Sequence, residues 1–168
     1  MADAKDIDET LARHLFRVDA ENGLLIRRVT RAHNALAGDA VGSLEKRGYL
    51  HVNVLGRFWL VHRVIFLLHY GWQPYRIDHK DTDKLNNRPD NLRPTTDHLN
   101  VGNVAMFAHN TSGYRGVSLN ARSGLWVAQI KIAGKQTYLG RYTTPEEAAR
   151  VYAEAAKAHF GDHARVPF

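Results

Sequence analysis

The 168-residue sequence contains no cysteine. That excludes disulfides and every thiolate-based zinc site, and it fits a reducing compartment. Long hydrophobic runs are also missing. The most apolar stretch, FWLVHRVIFLL, is short and is broken by His62 and Arg63. It marks a core segment, not a membrane span. The first residues, MADAKDIDET, are acidic and polar, which is not the pattern of a secretory leader. A third absence is local: no Asp or Glu occurs from His98 to Pro145, where Arg115, Arg122, Lys131, Lys135 and Arg141 fall. A merely solvated face needs no acid-free run of that length. A surface that meets phosphates does, because a nearby carboxylate would repel them.

What is present sets the class. Apolar residues make up 44% of the chain, enough for a packed core rather than disorder. The formal net charge is +6, which favours polyanionic partners. A cytoplasmic, non-membrane protein is the expectation.

The chain reads in three parts. Residues 1 to about 74 form a mixed lead-in. IDETLARHLF has the spacing of a short amphipathic helix, LLIRRV and YLHVNV are rich in β-formers, and Leu55-Gly56 between VNV and RFWLV suggests a hairpin turn. HRVIFLLHYG reads as a buried helix stopped by Gly71. Residues 75 to about 106 have a strand–loop–strand–helix pattern, with strands at Tyr75 to His79 and Leu92 to Thr95. Thr96 or Asp97 can cap a helix that starts near His98. Residues 107–113, FAHNTSG, read as a linker.

After the linker, YRGVSL, LWVAQIKI and QTYLGRY are three strands separated by glycine-containing turns. Trp126, Ala128, Ile130 and Ile132 share one face, joined by Leu139; Gln129, Lys131, Gln136 and Tyr138 take the other. TTPEEAARVYAEAAKAHFG opens with Thr144 as cap, Pro145 at the first helical position and Glu147 closing a capping box. Ala148, Val151, Tyr152, Ala155, Ala156 and His159 form its packing stripe, and Gly161 ends it.

The chemistry concentrates in RIDHKDTDKLNNRPDNLRPTTDHLN, Arg76 to Asn100. Histidine suits proton transfer near neutral pH, and an Asp–Asn oxygen pair suits a hard cation such as Mg²⁺. Asp78 and His79 are adjacent, and on a strand they point to opposite sides. That favours a division of labour, with Asp78 on a metal and His79 on water. Asn86 and Asn87 read as turn residues. His51, His62 and His69 lie on apolar segments and read as core histidines.

Asp78-His79, then Asn91 in NRPDNLR, then Asn100 resembles the HNH endonuclease motif in its phage and intron homing-type version. The resemblance implies a ββα-metal fold around one divalent ion, Mg²⁺ or Mn²⁺. By matching positions it implies Asp78 and Asn100 as metal ligands, His79 as general base, and Asn91 as the residue that ties the loop. Many members carry histidine at the third position, so His98 stands in reserve for Asn100.

SGYRGVSLNARSGLWVAQIKIAGKQTYLGRYTTPEEAARVYAEAAKAHFGDHARVPF resembles the plant ethylene-response-factor (apetala-type) DNA-binding domain. In that family the sheet enters the major groove. Carried over, the resemblance implies base and phosphate contacts from Arg115, Gln129, Lys131, Gln136 and Tyr138, phosphate contacts from Arg122 and Arg141, and one from Tyr152 on the helix. Ser118, Asn120, Gln129 and Gln136 depart from the plant pattern, so the plant target sequence does not transfer.

The expected fold is α+β: a ββα-metal HNH nuclease core with an α/β lead-in, then a small three-stranded antiparallel sheet packed on one helix. The expected domains are residues 1–106 and 114–168. The expected function is metal-dependent cleavage of double-stranded DNA, by nicking if the protein is a monomer, the favoured state. The alternative is a DNA-binding regulator with a degenerate HNH fold. An RNA-binding module ranks third, because the sheet lacks a pair of exposed aromatics for stacking.

Overall fold

The computed structural model describes residues 7–96, 99 and 110–164. Asn100 and the reserve His98 lie outside the described residues. Two compact units divide the chain, Met1–Thr95 and Thr96–Phe168.

In the first unit, helix α1 (Glu9–Leu15) starts where the Asp8 carboxylate accepts the Leu11 N–H at 2.9 Å, satisfying one of the donors a helix start leaves open. The sequence pattern extends this helix to Phe16, but Phe16 is the first residue of strand β1. Strands β1 (Phe16–Asp19), β2 (Leu24–Arg27) and β3 (Ala40–Val41) make one antiparallel sheet in that order. Strands β4 (Ser43–Leu44), β5 (Leu50–Val54) and β6 (Arg57–Leu60) make a second. Leu55 and Gly56 join β5 to β6 with φ of 53° and 78°. Two left-handed residues in succession match the twist of a hairpin.

Helix α2 (Val61–Tyr70) buries Val61, His62, Val64, Ile65, Phe66 and Leu67. Its contacts reach α1 and both sheets, and with Phe16, Leu25, Val52, Val54 and Leu92 it forms the unit's apolar core. Gly71, at φ 75°, stops the helix by donating its N–H to the Leu67 carbonyl at 2.8 Å. Strands β7 (Arg76–His79) and β8 (Leu92–Thr95) then pair antiparallel, with Asp78 opposite Arg93 and His79 opposite Leu92. Leu92 points into the core, so the hairpin is anchored beside α2. The Thr96 hydroxyl accepts the Leu99 N–H at 3.3 Å, the capping geometry its sequence position suggests.

The second unit holds strands β9 (Val117–Asn120), β10 (Leu125–Ile132) and β11 (Lys135–Tyr142), ordered β11-β10-β9. Helix α3 (Pro145–Phe160) covers one face of this sheet. Thr144 caps it, accepting the Glu147 N–H at 3.3 Å. The buried stripe is Ala148, Ala149, Tyr152, Ala156 and Phe160. It differs from the sequence expectation at its end, where Phe160 is buried and His159 is exposed. A run at steps of four (148, 152, 156, 160) keeps one row of side chains over the sheet.

Candidate active site and nucleic-acid interface

The β7–β8 hairpin brings Asp78, His79 and Asn91 together around one strand end. Asp78 and His79 are both buried, at 8% and 4% exposure. Their surroundings differ. Asp78 Oδ2 accepts two N–H bonds from Arg93, at 2.9 and 2.7 Å, a cross-strand ion pair between opposed residues. His79 Nε2 lies 3.1 Å from Asn87 Oδ1, and its ring stands edge-on to His62 at 5.1 Å between centroids. Tyr49 packs near both imidazoles.

Asn91 closes the loop between the strands. Its side-chain nitrogen donates to Asp81 Oδ1 at 2.9 Å and to the Asn86 carbonyl at 2.8 Å. Its side-chain oxygen accepts the Asp81 N–H at 3.2 Å, and its backbone carbonyl accepts the Lys80 N–H at 2.9 Å. Asp81 is the other hub of this knot, taking the Asn86 side chain at 2.6 Å and the Asp83 N–H at 2.9 Å. Burial pushes the Asp81 carboxyl up, but the bonds from Asn86 and Asn91 outweigh it and hold the group below the usual carboxylate range.

Two of these residues were missed or underread from sequence. Asn87 reads as a turn residue, yet it is 1% exposed and faces His79. Asp81 was not singled out in the sequence, yet it organises the loop. The doubled asparagine of NNRP was the one signal for the first. His62 is buried as expected of a core histidine, but it packs on His79. Burial, then the charges of His79 and Arg63, push its pKa down to about 3.

A hard cation fits part of this arrangement. Asp78 supplies a carboxylate of the type Mg²⁺ prefers, and Arg93 orients it as outer partners of metal-binding carboxylates do. The other predicted ligand, Asn100, lies outside the described residues. No group of three or more His, Cys, Asp or Glu able to hold a metal occurs among the described residues.

In the second unit the strand register sorts the predicted contact residues. Gln129 opposes Tyr138, Lys131 opposes Gln136, and Val127 opposes Arg141. The register shifts between Ala128 and Gln129. Tyr138 and Arg141 are three apart and would alternate to opposite faces of a regular strand. The extra residue of the bulge returns both to the face away from α3. Leu139, between them, packs with the helix-side core. Gln136 donates to Gln129 at 2.8 Å, and Tyr138 is 56% exposed. Arg122 is exposed on the β9–β10 turn.

One residue sits elsewhere than the resemblance implied. Tyr152 is 6% exposed. Its ring lies against Gly116, where a Cβ would collide with it, because position 152 falls on the helix row facing the sheet. The structure thus places Tyr152 in the core rather than among DNA-facing residues. Burial pushes its hydroxyl up in pKa, opposed by the charge of Arg115 and a hydrogen bond from it. Arg115 is therefore half-buried and engaged with Tyr152.

Comparison with known proteins matches two successive segments of the chain to two families. An HNH endonuclease family profile matches residues 60–101, and an AP2 domain profile matches residues 112–161. Protein 3.8 of Escherichia phage T7 is 33% identical over 91 residues, covering 54% of this chain and 74% of that protein. The AP2-like ethylene-responsive transcription factor TOE2 of Arabidopsis thaliana is 43% identical over 58 residues, 34% of this chain. APETALA2-like protein 2 of rice (Oryza sativa subsp. indica) shows the same identity over the same length. The chain spans only 12% and 13% of those two plant proteins. A solved structure of the HNH homing endonuclease I-HmuI aligns over 80% of this chain and 75% of that one, at 21% identity and a TM-score of 0.38, too loosely to fix residue correspondences. The chain belongs to the HNH endonuclease family and carries an AP2 domain behind its HNH segment.

Proposed function

We propose that the protein is a divalent-metal-dependent endonuclease that cuts one strand of duplex DNA per active site, with the AP2 unit gripping the duplex. The observation that carries this reading is the adjacent buried pair Asp78-His79 at the end of β7, on a loop knotted by Asn91 and Asp81. His79 takes the proton of the attacking water. Asp78 and Asn100 would hold the ion, which when bound supplies positive charge to stabilise the phosphate as it is attacked. Asn91 keeps the loop closed so that His79 stays aimed. Gln129, Lys131, Gln136, Tyr138 and Arg141 meet bases and phosphates from the free face of the second sheet, with Arg122 on a phosphate beside it.

The test is conversion of supercoiled plasmid, with Mg²⁺ or Mn²⁺ against EDTA, by the wild type and by His79→Ala. Open circles from the wild type alone, only with metal, are expected; full activity in His79→Ala would sink the assignment. A second reading, DNA binding without cutting, is favoured by one observation: Arg93 already pairs with the Asp78 carboxylate. That reading expects gel shifts with plasmid fragments and no metal-dependent product.

A further inference from the structure

From outside the HNH segment, the β1–β2 turn reaches the backbone of the loop that carries Asn87. The turn between β1 and β2 ends at Gly23, whose φ is +67°. A Cβ on Gly23 would lie 2.6 Å from the Arg88 nitrogen and 2.9 Å from the Asn87 carbonyl carbon. The turn therefore lies directly against the peptide that follows Asn87, with room at that point for glycine alone. It is itself stiffened: the Asp19 carboxylate accepts both the Asn22 N–H, at 3.1 Å, and the Asn22 side-chain amide, at 3.0 Å. The next part of the loop is held from another side, where the Tyr70 hydroxyl donates to the Pro89 carbonyl at 3.0 Å.

Asn87 bears a cost in this position. Its side-chain nitrogen is buried and has no hydrogen-bond partner among the described residues. An orphaned buried donor is unfavourable and persists where surrounding structure imposes it. The side-chain oxygen is the part that is used, facing His79 Nε2.

We propose that the β1–β2 turn is a strut for the active-site loop, holding Asn87 so that its side-chain oxygen keeps the imidazole proton of His79 on Nε2. This rests on the reading of His79 as the base. A neutral imidazole carries one N–H. With that proton on Nε2 and donated to Asn87, the lone pair is on Nδ1, the nitrogen that takes the proton from water. Asn87 and Gly23 are positioning residues: neither touches substrate. The N-terminal hairpin thereby contributes to catalysis without supplying a reacting group.

Gly56 provides the control. Its φ is +78°, and a Cβ there meets nothing within 4 Å. Gly23→Ala and Gly56→Ala impose similar backbone strain, but only the first pushes on the loop. The experiment is imidazole ¹H–¹⁵N NMR of the full chain at neutral pH without DNA or metal, with backbone amide spectra reporting the fold. The wild type is expected to show a His79 Nε2–H resonance protected from solvent exchange. Protection survives in Gly56→Ala and in Asn87→Asp, which retains an acceptor. It falls at least tenfold in Gly23→Ala and in Asn87→Leu. A His79 proton found on Nδ1, or equal protection in Gly23→Ala and Gly56→Ala, overturns the strut. In plasmid cleavage, Gly23→Ala lowers kcat about tenfold or more with KM unchanged, while Gly56→Ala stays within about twofold. If the wild type does not cleave, the functional reading fails, and the NMR result still decides the strut.

Discussion

His62 shows how one residue's burial becomes a property of the protein. Its ring is buried against His79 and held neutral, with a pKa of about 3. An unfolded chain protonates histidine near pH 6.5. The unfolded state therefore binds the extra proton between those values, and stability rises with pH across that window. The contribution is complete above about pH 6.5 and is lost as pH falls toward 3, on the order of 5 kcal/mol in total. Thermal melts from pH 7 to pH 4 should show the wild type losing stability more steeply than His62→Gln. Parallel curves would mean that His62 titrates normally. Asn91 is the second residue to test. Asn91→Ala leaves Asp81 and the Asn86 carbonyl without the bonds Asn91 makes to them, at a cost of roughly 2–3 kcal/mol. Chemical denaturation should show that loss, and plasmid nicking should fall more than His51→Ala, an exchange outside the loop, would cause.

The elements differ in how plainly the sequence announced them. Helix α3 was legible to its ends, because Thr144, Pro145 and Gly161 each have a specific local reason to be there. Thr144→Ala should cost about 1 kcal/mol and lower the melting temperature of the second unit. Glu147 adds to this cap: bonds from the Thr143 hydroxyl, then from Thr144, hold its carboxyl below the usual range. The β7–β8 hairpin was legible because its polar residues have few other uses at that spacing. The first sheet was not. Strand β1 is four residues long and follows directly on the first helix, and β3 has two residues that pair with β2 across a long connection, so neither carries a local pattern long enough to read. The bulge in β10–β11 was also invisible. Only the register shows that Tyr138 and Arg141 share a face. The placement of Asn87 escaped for a related reason. An Asn in a loop ordinarily serves the turn, and the peptide after Asn87 packs against Gly23, more than sixty positions earlier. Gly116→Ala tests packing of another element. The added methyl meets the Tyr152 ring at a position with φ of 68°, so melting of the second unit and its DNA affinity should fall together.

On the scale of the whole molecule, the basic balance and the active site should separate in kinetics. Lys131→Ala with Arg141→Ala removes two charges on the free face of the second sheet, far in chemistry from any reacting atom. KM for duplex DNA should rise several-fold with kcat little changed, and the slope of log affinity against log salt should fall by about one for each phosphate left without its counter-charge. His79→Ala should do the reverse, abolishing turnover while gel-shift affinity is kept. Equal effects of both variants on turnover would argue against a division between grip and cut.

The Arg93–Asp78 pair has a consequence for how such a nuclease is made. A buried carboxylate at a cation site is a liability in a nascent chain, which must either find an ion or leave a bare charge in its interior. Here the counter-charge is supplied from the opposite strand at 2.7 Å. On the proposed metal-dependent reading, the hairpin matures before any ion arrives, which would uncouple assembly from activation. Chelator should therefore silence the enzyme without melting it: EDTA-treated and Mg²⁺-treated protein should unfold within about 2 °C of each other, well inside the shift that 1 kcal/mol would cause. Arg93→Ala should instead make the melting temperature depend on the ion.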